Sequence, residues 1–349
     1  MTRKDETDAL IRDTNKAMKS DVLRYASEIP TFTRATTGSL AYDLALGGGW
    51  PVNVWNEIIG LESHGKTVIA LKTIAANQAL DSSYRVLWVA SEDFNRAWAE
   101  TLGVQTDRVV LAETNVMEDA YAILLDALEK QSVDAVVLDS YPALSASAEA
   151  DSTFFDATVA IGARLTNKLM RVSPPAQRRA EGERPCLCLI INQWRDTIGQ
   201  YGDPRITPGG KGKNFSYFTR IDVVRDGWIE KPSKVKVGQV IKIRTVKNKT
   251  APPLRVAQTN FYFDDDSPFH AGDYDTVAEI SNIALTYEII ERHGAWYHYG
   301  TEKWNGKEAV LARMREDLGM QREIDTEVRR RVLGQAPPNA AKIRRKRPA

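Results

Sequence analysis

The sequence predicts an α/β fold: a central, mostly parallel sheet covered by helices, with an amino-terminal helix ahead of it and a small α+β unit behind it. Three observations carry this. Apolar runs at residues 54–59, 85–90, 135–138 and 187–191 recur between helical stretches, and near-continuous runs of this kind suit parallel strands covered on both faces. Between the first run and the helical stretch at 68–79 lies Gly60-Leu61-Glu62-Ser63-His64-Gly65-Lys66-Thr67, a full match to G-x-x-x-x-G-K-[ST] in the strand–loop–helix context that pattern requires. At 349 residues the chain holds one large core with smaller appendages.

Taken in order, residues 1–35 read as a separate amino-terminal helical segment. Helical propensity runs from 5 to 27 and Pro30 interrupts it. Residues 36–268 form the core, closed by the break at Asp264-Asp265-Asp266-Ser267-Pro268. Residues 269–330 combine helices with the turn His293-Gly294 and the aromatic cluster Trp296-Tyr297-His298-Tyr299, a small second domain. Residues 331–349 have no acid, carry Pro337-Pro338 and end in Lys342-Ile343-Arg344-Arg345-Lys346-Arg347, so a basic disordered tail is expected. The polar, proline-containing stretch at 173–183 is expected to be a surface loop.

Formal net charge is +1, from 47 basic and 46 acidic residues, so only the local charge distribution can point to a nucleic-acid partner. The charged amino end lacks a signal-peptide core, and no run approaches the ~18 apolar residues of a membrane span. A cytoplasmic location follows as the expectation. Cys186 and Cys188 lie two apart on one strand face with no histidine nearby in sequence, which reads as buried core thiols and not as a metal site.

The motif carries nucleotide chemistry. Backbone N–H groups of Gly60, Leu61, Glu62, Ser63, His64, Gly65, Lys66, Thr67 and Val68 would surround phosphates at the positive end of a helix. Lys66 would reach the β/γ oxygens and the Thr67 hydroxyl would ligate Mg²⁺. A second carboxylate is needed, and Val136-Val137-Leu138-Asp139-Ser140 supplies Asp139 at a strand end, with Ser140 supporting the metal site. Glu92, ending Leu87-Trp88-Val89-Ala90-Ser91, either orients the attacking water or merely opens the next helix.

At this point the chain resembles the RecA-type recombinases, bacterial and phage. Over about residues 36–315 it carries, in RecA order and spacing, Thr37-Gly38-Ser39-Leu40, Asp43-Leu44-Ala45-Leu46-Gly47, the phosphate loop, Glu92, Leu102-Gly103-Val104 and Val137-Leu138-Asp139-Ser140. Ile191-Asn192-Gln193, Thr207-Pro208-Gly209-Gly210, Val246-Lys247-Asn248-Lys249 and Gly294-Ala295-Trp296-Tyr297 continue the series. The resemblance implies a RecA-like P-loop ATPase core using ATP and Mg²⁺. It implies that Glu92 activates water, that Gln193 senses the γ-phosphate, and that Trp98 stacks on adenine unless it is an ordinary core aromatic. Lys247 and Lys249 would reach a neighbouring subunit's ATP across a filament interface; without the resemblance they read as a solvated strand edge.

Two DNA-binding loops are implied as well. The first, near residues 149–156, offers Phe154 and Phe155 for stacking. The second, running from Trp194 and Arg195 through Tyr201 and Arg205 to Gly209, Gly210, Lys211 and Lys213, mixes glycines, aromatics and cations, a combination that binds single strands. The implied function is a DNA-dependent ATPase that forms helical filaments of this chain on single-stranded DNA, pairs them with homologous duplex and exchanges strands in recombination and repair. Mediator and single-strand-binding proteins would be further partners. The alternative from a different class is a RecA-fold accessory or mediator ATPase that binds DNA or a recombinase without strand exchange.

Overall fold

The computed structural model describes residues 2–29, 32–150, 161–179, 183–196, 205–210 and 212–334. Residues Met1–Thr33 form one compact unit and Arg34–Ala349 a second. In the first unit, helix α1 spans Arg3–Met18. Its start is a capping box: Asp5 N–H donates to Thr2 Oγ1 (3.3 Å) and Thr2 N–H to Asp5 Oδ2 (2.6 Å). The helix stops nine residues short of the expected 27. Lys19 takes a left-handed cap, and the Asn15 side chain binds both the N–H and the C=O of Leu23 at 2.8 Å, so the chain doubles back instead of continuing helical.

The second unit is built on eight strands: β1 Trp55–Gly60, β2 Val86–Ala90, β3 Val109–Glu113, β4 Ala135–Asp139, β5 Leu187–Gln193, β6 Thr219–Glu230, β7 Lys236–Asn248 and β8 Val256–Tyr262. Their order is β8-β7-β6-β1-β5-β4-β2-β3. From β6 to β3 every pairing is parallel; β7 and β8 add an antiparallel flank. Successive residues point to opposite faces, and both faces are buried. Trp88, Val137 and Leu189 enter one core with Ile69 and Ile74 of helix α3 (Lys66–Leu80). Leu87, Val136 and Cys188 enter the other with Leu124 and Leu128 of α5 (Met117–Glu129) and Leu169 of α6 (Ile161–Gln177). This is why those strands read as continuous apolar runs. Cys186 and Cys188 are buried free thiols.

Two expectations are corrected. Ser173, Pro174 and Pro175 are not surface loop but the last turns of α6. Ser173 is fully buried and its Oγ accepts from Trp55 Nε1 at 2.8 Å, so the polar residue serves an interior hydrogen bond. The carboxyl-terminal unit has the expected α+β content: a three-stranded antiparallel sheet, helices Thr276–Thr286 and Lys307–Glu316, and a last helix, Leu318–Leu333, which passes the expected boundary at 330. Its core is not its own, because Leu40 and Leu44 of α2 (Leu40–Leu46) pack among Val277, Ile280, Ile290 and Met314.

That joint also holds a buried acid. Both oxygens of Glu279, 4% exposed, accept from Ser39 Oγ at 2.9 and 3.0 Å. Burial pushes its carboxyl up to about 7, against the Ser39 contact and with nearby Asp43 acting in the same direction as burial. A raised acid pKa means that the folded state holds the proton more tightly. The contribution is therefore full below the unfolded value near 4.5 and is lost as pH rises to about 7. Glu279→Gln should remove that slope, so that the difference in unfolding free energy between variant and wild type changes by on the order of 3 kcal/mol from pH 4.5 to 7.5 in urea titrations. Parallel curves for the two proteins would refute it.

Candidate functional site

Strand register gathers the site. Gly60 pairs with Gln193 across β1 and β5, and Ala90 pairs with Asp139 across β2 and β4, so four adjacent parallel strands end together at their carboxyl edge. Crevices at such edges are where α/β sheets bind ligands. The β2 and β4 ends are tied further: Ser91 N–H donates to Asp139 O (2.9 Å), Ser140 N–H to Ser91 Oγ (2.9 Å) and Ser91 Oγ–H to Ser140 O (2.6 Å). Ser140 Oγ in turn donates to Glu92 Oε1. The sequence-predicted residues Glu92, Asp139, Ser140, Gln193 and the phosphate loop therefore share one edge.

The loop leaves β1 at Gly60 and enters α3 at Gly65, whose φ of +97° suits glycine and whose added Cβ would lie 2.7 Å from Ile241 Cδ1. No side chain caps α3, so its first-turn N–H groups face the loop mouth. Lys66 is 7% exposed and donates to Leu61 O at 2.7 Å; burial lowers its pKa against the opposing pull of Asp139, Glu92 and Glu62. A desolvated cation on a neutral carbonyl, beside an uncapped helix start, fits a phosphate. Thr67 Oγ1 donates to Asp139 Oδ2 at 3.1 Å, and burial pushes the Asp139 carboxyl up to about 6 in spite of that bond. This hard-oxygen pair beside phosphates fits Mg²⁺, which takes one or two protein oxygens and completes its shell with phosphate and water.

Beside the loop opens a cavity of about 380 Å³ lined by Gly65–Val68, Trp98, Arg225, Trp228, Gln239, Phe261 and Phe263. Trp98 packs edge-on against Phe261 (6.2 Å between centroids), so it both seals the core and forms a cavity wall. The other aromatic and polar walls were not legible in the sequence: they come from β6, β7 and the end of β8, more than 150 residues beyond the loop, with no local motif.

On the far side of Gln193, Trp194 Nε1 donates to Asp222 Oδ1 (2.6 Å), and Arg205 lies 5.0 Å above the Trp194 ring and 3.7 Å from Asp222. Arg195 is exposed. Trp194, Arg195 and Arg205, with Thr207, Gly209 and Gly210, border a second cavity of about 880 Å³. Phe154, Phe155, Tyr201 and Lys211 lie outside the described residues. The expectation that Lys213 neutralises DNA phosphate is corrected. Its side chain is 0% exposed and donates to Thr207 Oγ1 (2.7 Å), Asn214 Oδ1 (3.1 Å) and Glu57 Oε1 (3.4 Å), an interior ion pair. Lys247 and Lys249, at the end of β7, grip the short helix α7 (Lys213–Ser216): Lys247 Nζ donates to Asn214 O (2.5 Å) and Phe215 O (3.1 Å), and Lys249 Nζ to Phe215 O (3.0 Å). Burial, then repulsion from Lys249 and Arg220, pushes Lys247 down to about 8.

An uncapped helix behind a glycine loop, an adjacent Thr–Asp oxygen pair and a parallel sheet define a phosphate-loop nucleotide-binding protein. Comparison with known sequences narrows the class. Residues 8–266 match the family model of the RecA N-terminal domain and residues 278–333 that of the RecA C-terminal domain. Protein RecA of Gloeobacter violaceus is 33% identical over 308 residues, covering 87% of this chain and 80% of its own length. That of Chlorobaculum parvum is 34% identical over 302 residues, 86% of this chain and 83% of its own. That of Lactobacillus delbrueckii is 32% identical over 316 residues, 89% and 92% respectively. The chain belongs to the RecA family and is a RecA-type recombinase. The family consists of DNA-dependent, ATP-binding and generally Mg²⁺-dependent ATPases that bind DNA and form filaments. Among the described residues, no helix is long and apolar enough to cross a membrane.

Gly209 holds the end of the second loop at φ +95°, and a Cβ there would lie 2.7 Å from Tyr141 Oη and 2.8 Å from Lys213 Cε. Gly209→Ala should lower the unfolding free energy by on the order of 1–3 kcal/mol in denaturant titration, strain and clash acting together; unchanged stability would show that the segment relaxes freely.

Proposed function

We propose that this chain hydrolyses ATP at the carboxyl edge of β1, β5, β4 and β2, assembles into filaments on single-stranded DNA, and pairs and exchanges that strand with homologous duplex. The observation that carries the reading is the in-register adjacency of Gly60 and Gln193: the strand end beside the phosphate loop runs straight into the segment that begins at Trp194 and Arg195. A change at the phosphate edge is then one residue from the segment that meets DNA.

The roles follow from position. Lys66 and the α3 N–H groups hold phosphate oxygens; Thr67 Oγ1 and Asp139 hold Mg²⁺, which when bound neutralises charge on the transferred phosphoryl group. Ser140 Oγ fixes the Glu92 carboxylate so that it can take a proton from water. Trp98 offers its cavity face to the base. Lys247 and Lys249 exchange the carbonyls of Asn214 and Phe215 for phosphate oxygens of a neighbouring subunit, completing a site that one subunit lacks. The half-buried Trp194 and the exposed Arg195 and Arg205, with the backbone at Gly209 and Gly210, serve the DNA strand together with Phe154, Phe155, Tyr201 and Lys211. ATP, Mg²⁺, both DNA forms and further copies of the chain are thus the ligands.

Strand exchange between circular single strand and homologous linear duplex tests the reading. Wild type should form joint molecules with ATP; Lys66→Ala, Glu92→Gln and Lys247→Ala should lose turnover, the last by on the order of 10³-fold, as for charge-stabilising groups supplied in trans. DNA-stimulated hydrolysis retained by Lys66→Ala would sink the site assignment. ATPase and single-strand binding without joint molecules would move the protein to the mediator class. Separately, Trp98→Ala should weaken ATP binding by about 1–3 kcal/mol in equilibrium titration, the size of one aromatic–base stack; unchanged affinity would assign Trp98 to the core alone.

A further inference from the structure

The strand that delivers the phosphate loop carries, three residues before Gly60, a carboxylate with no part in the chemistry above. Glu57 is 0% exposed. Its Oε1 accepts from Asn192 Nδ2 (2.7 Å) and lies 3.4 Å from Lys213 Nζ; its Oε2 accepts from Arg220 Nε (2.5 Å). Two further bonds make the cluster more than a core ion pair. The Asn192 side chain turns its Oδ1 to the backbone N–H of Gln193 (2.9 Å). Thr207 Oγ1, 8% exposed, accepts from Lys213 Nζ (2.7 Å) and Arg220 Nη2 (3.4 Å). One buried carboxylate therefore holds, through Asn192, the point where the loop after Gln193 departs and, through Lys213 and Thr207, the point where it returns.

From this geometry we infer that Lys213 is a positioning residue: its buried ammonium clamps the returning end of the loop to Glu57, so that a displacement at Gln193 reaches both ends of the loop together. The inference rests on the reading that this loop meets DNA and that Gln193 meets the nucleotide. The charge arrangement suits a clamp and not a passive core contact. Two cations share one carboxylate, and burial penalises the second, which a stability-selected core would replace with an apolar side chain. Burial works against the charged form of Lys213 while Glu57 sustains it. With Thr207 Oγ1 as acceptor, the loop end is held by a charge-assisted bond that neither a leucine nor a methionine could supply.

The test compares single-strand affinity in two nucleotide states. Fluorescent oligo(dT) is titrated with wild type, Lys213→Met, Lys213→Arg and Thr207→Val, each with a slowly hydrolysed ATP analogue and with ADP, and nucleotide affinity is measured in parallel. Wild type should bind the oligonucleotide at least tenfold more tightly with the ATP analogue. In Lys213→Met and Thr207→Val the ratio should fall to within about threefold of one while nucleotide affinity stays within twofold, and Lys213→Arg should restore part of it. Thr207→Val removes the clamp bond without altering the buried charge, so it decides the matter if Lys213→Met does not fold. Wild-type ratios in the variants would overturn the clamp, as would a loss in Lys213→Met with Thr207→Val unaffected. A wild-type ratio near one would instead overturn the functional reading beneath it.

Discussion

The backbone register of four parallel strands is the constraint on which the rest depends. Each strand contributes something chemically ordinary at its end: a glycine, a glutamine, an aspartate, an alanine followed by serine and glutamate. They become a site only because Gly60 stands beside Gln193 and Ala90 beside Asp139. A slip of one residue in any ladder would turn that strand's side chains to the other face and carry its terminal group away from the edge. The two-sided burial of β1, β2, β4 and β5 makes such slips costly, since Trp88 and Val137 would leave one core while Leu87 and Val136 left the other. Hydrophobic packing thus fixes where the strand ends stand relative to one another.

Electrostatics at the edge follow from the same burial. Lys66 and Asp139 are both held where water is scarce, and each is shifted toward its neutral form by desolvation. In the proposed mechanism a phosphate–Mg²⁺ pair would relieve both at once. Lys247 is a third such group, shifted by its own burial and by its neighbours Lys249 and Arg220. Lys66, Lys247 and Lys249 each rest on a backbone carbonyl, the partner that phosphate oxygens replace in the proposed mechanism.

Much of this could be read from the chain. The phosphate loop, the strand ending at Asp139 and the serine after it, Glu92, and the run into Gln193 are local patterns whose physics is local. Their placement at one edge follows once the strands are parallel. What could not be read depends on distant contacts. The cavity wall formed by Trp228, Gln239 and Phe263 is assembled from the antiparallel flank, where alternation marks a strand but not what it faces. Lys213 illustrates the limit from the other side: a lysine among glycines reads as exposed, and only the fold brings Glu57 to it across 156 residues. The proline pair at 174 and 175 misled in the same way: prolines in the last turns of a helix forfeit hydrogen bonds to the preceding turn, and here tertiary docking of Ser173 on Trp55 holds the segment helical.

The shared core at the carboxyl-terminal joint has a consequence for how the molecule comes apart. Two family models divide the chain between 266 and 278, as though the pieces were modules that evolution could exchange. Yet Leu40 and Leu44, near the start of one, are interior residues of the other, and Ser39 hydrogen-bonds Glu279 across 240 positions. A nick in the connecting segment would leave both halves clasped, whereas deletion of the distal half would uncover an apolar helix face beside the nucleotide-binding core. The shared core couples the two modules, and a single unfolding transition is the expected consequence.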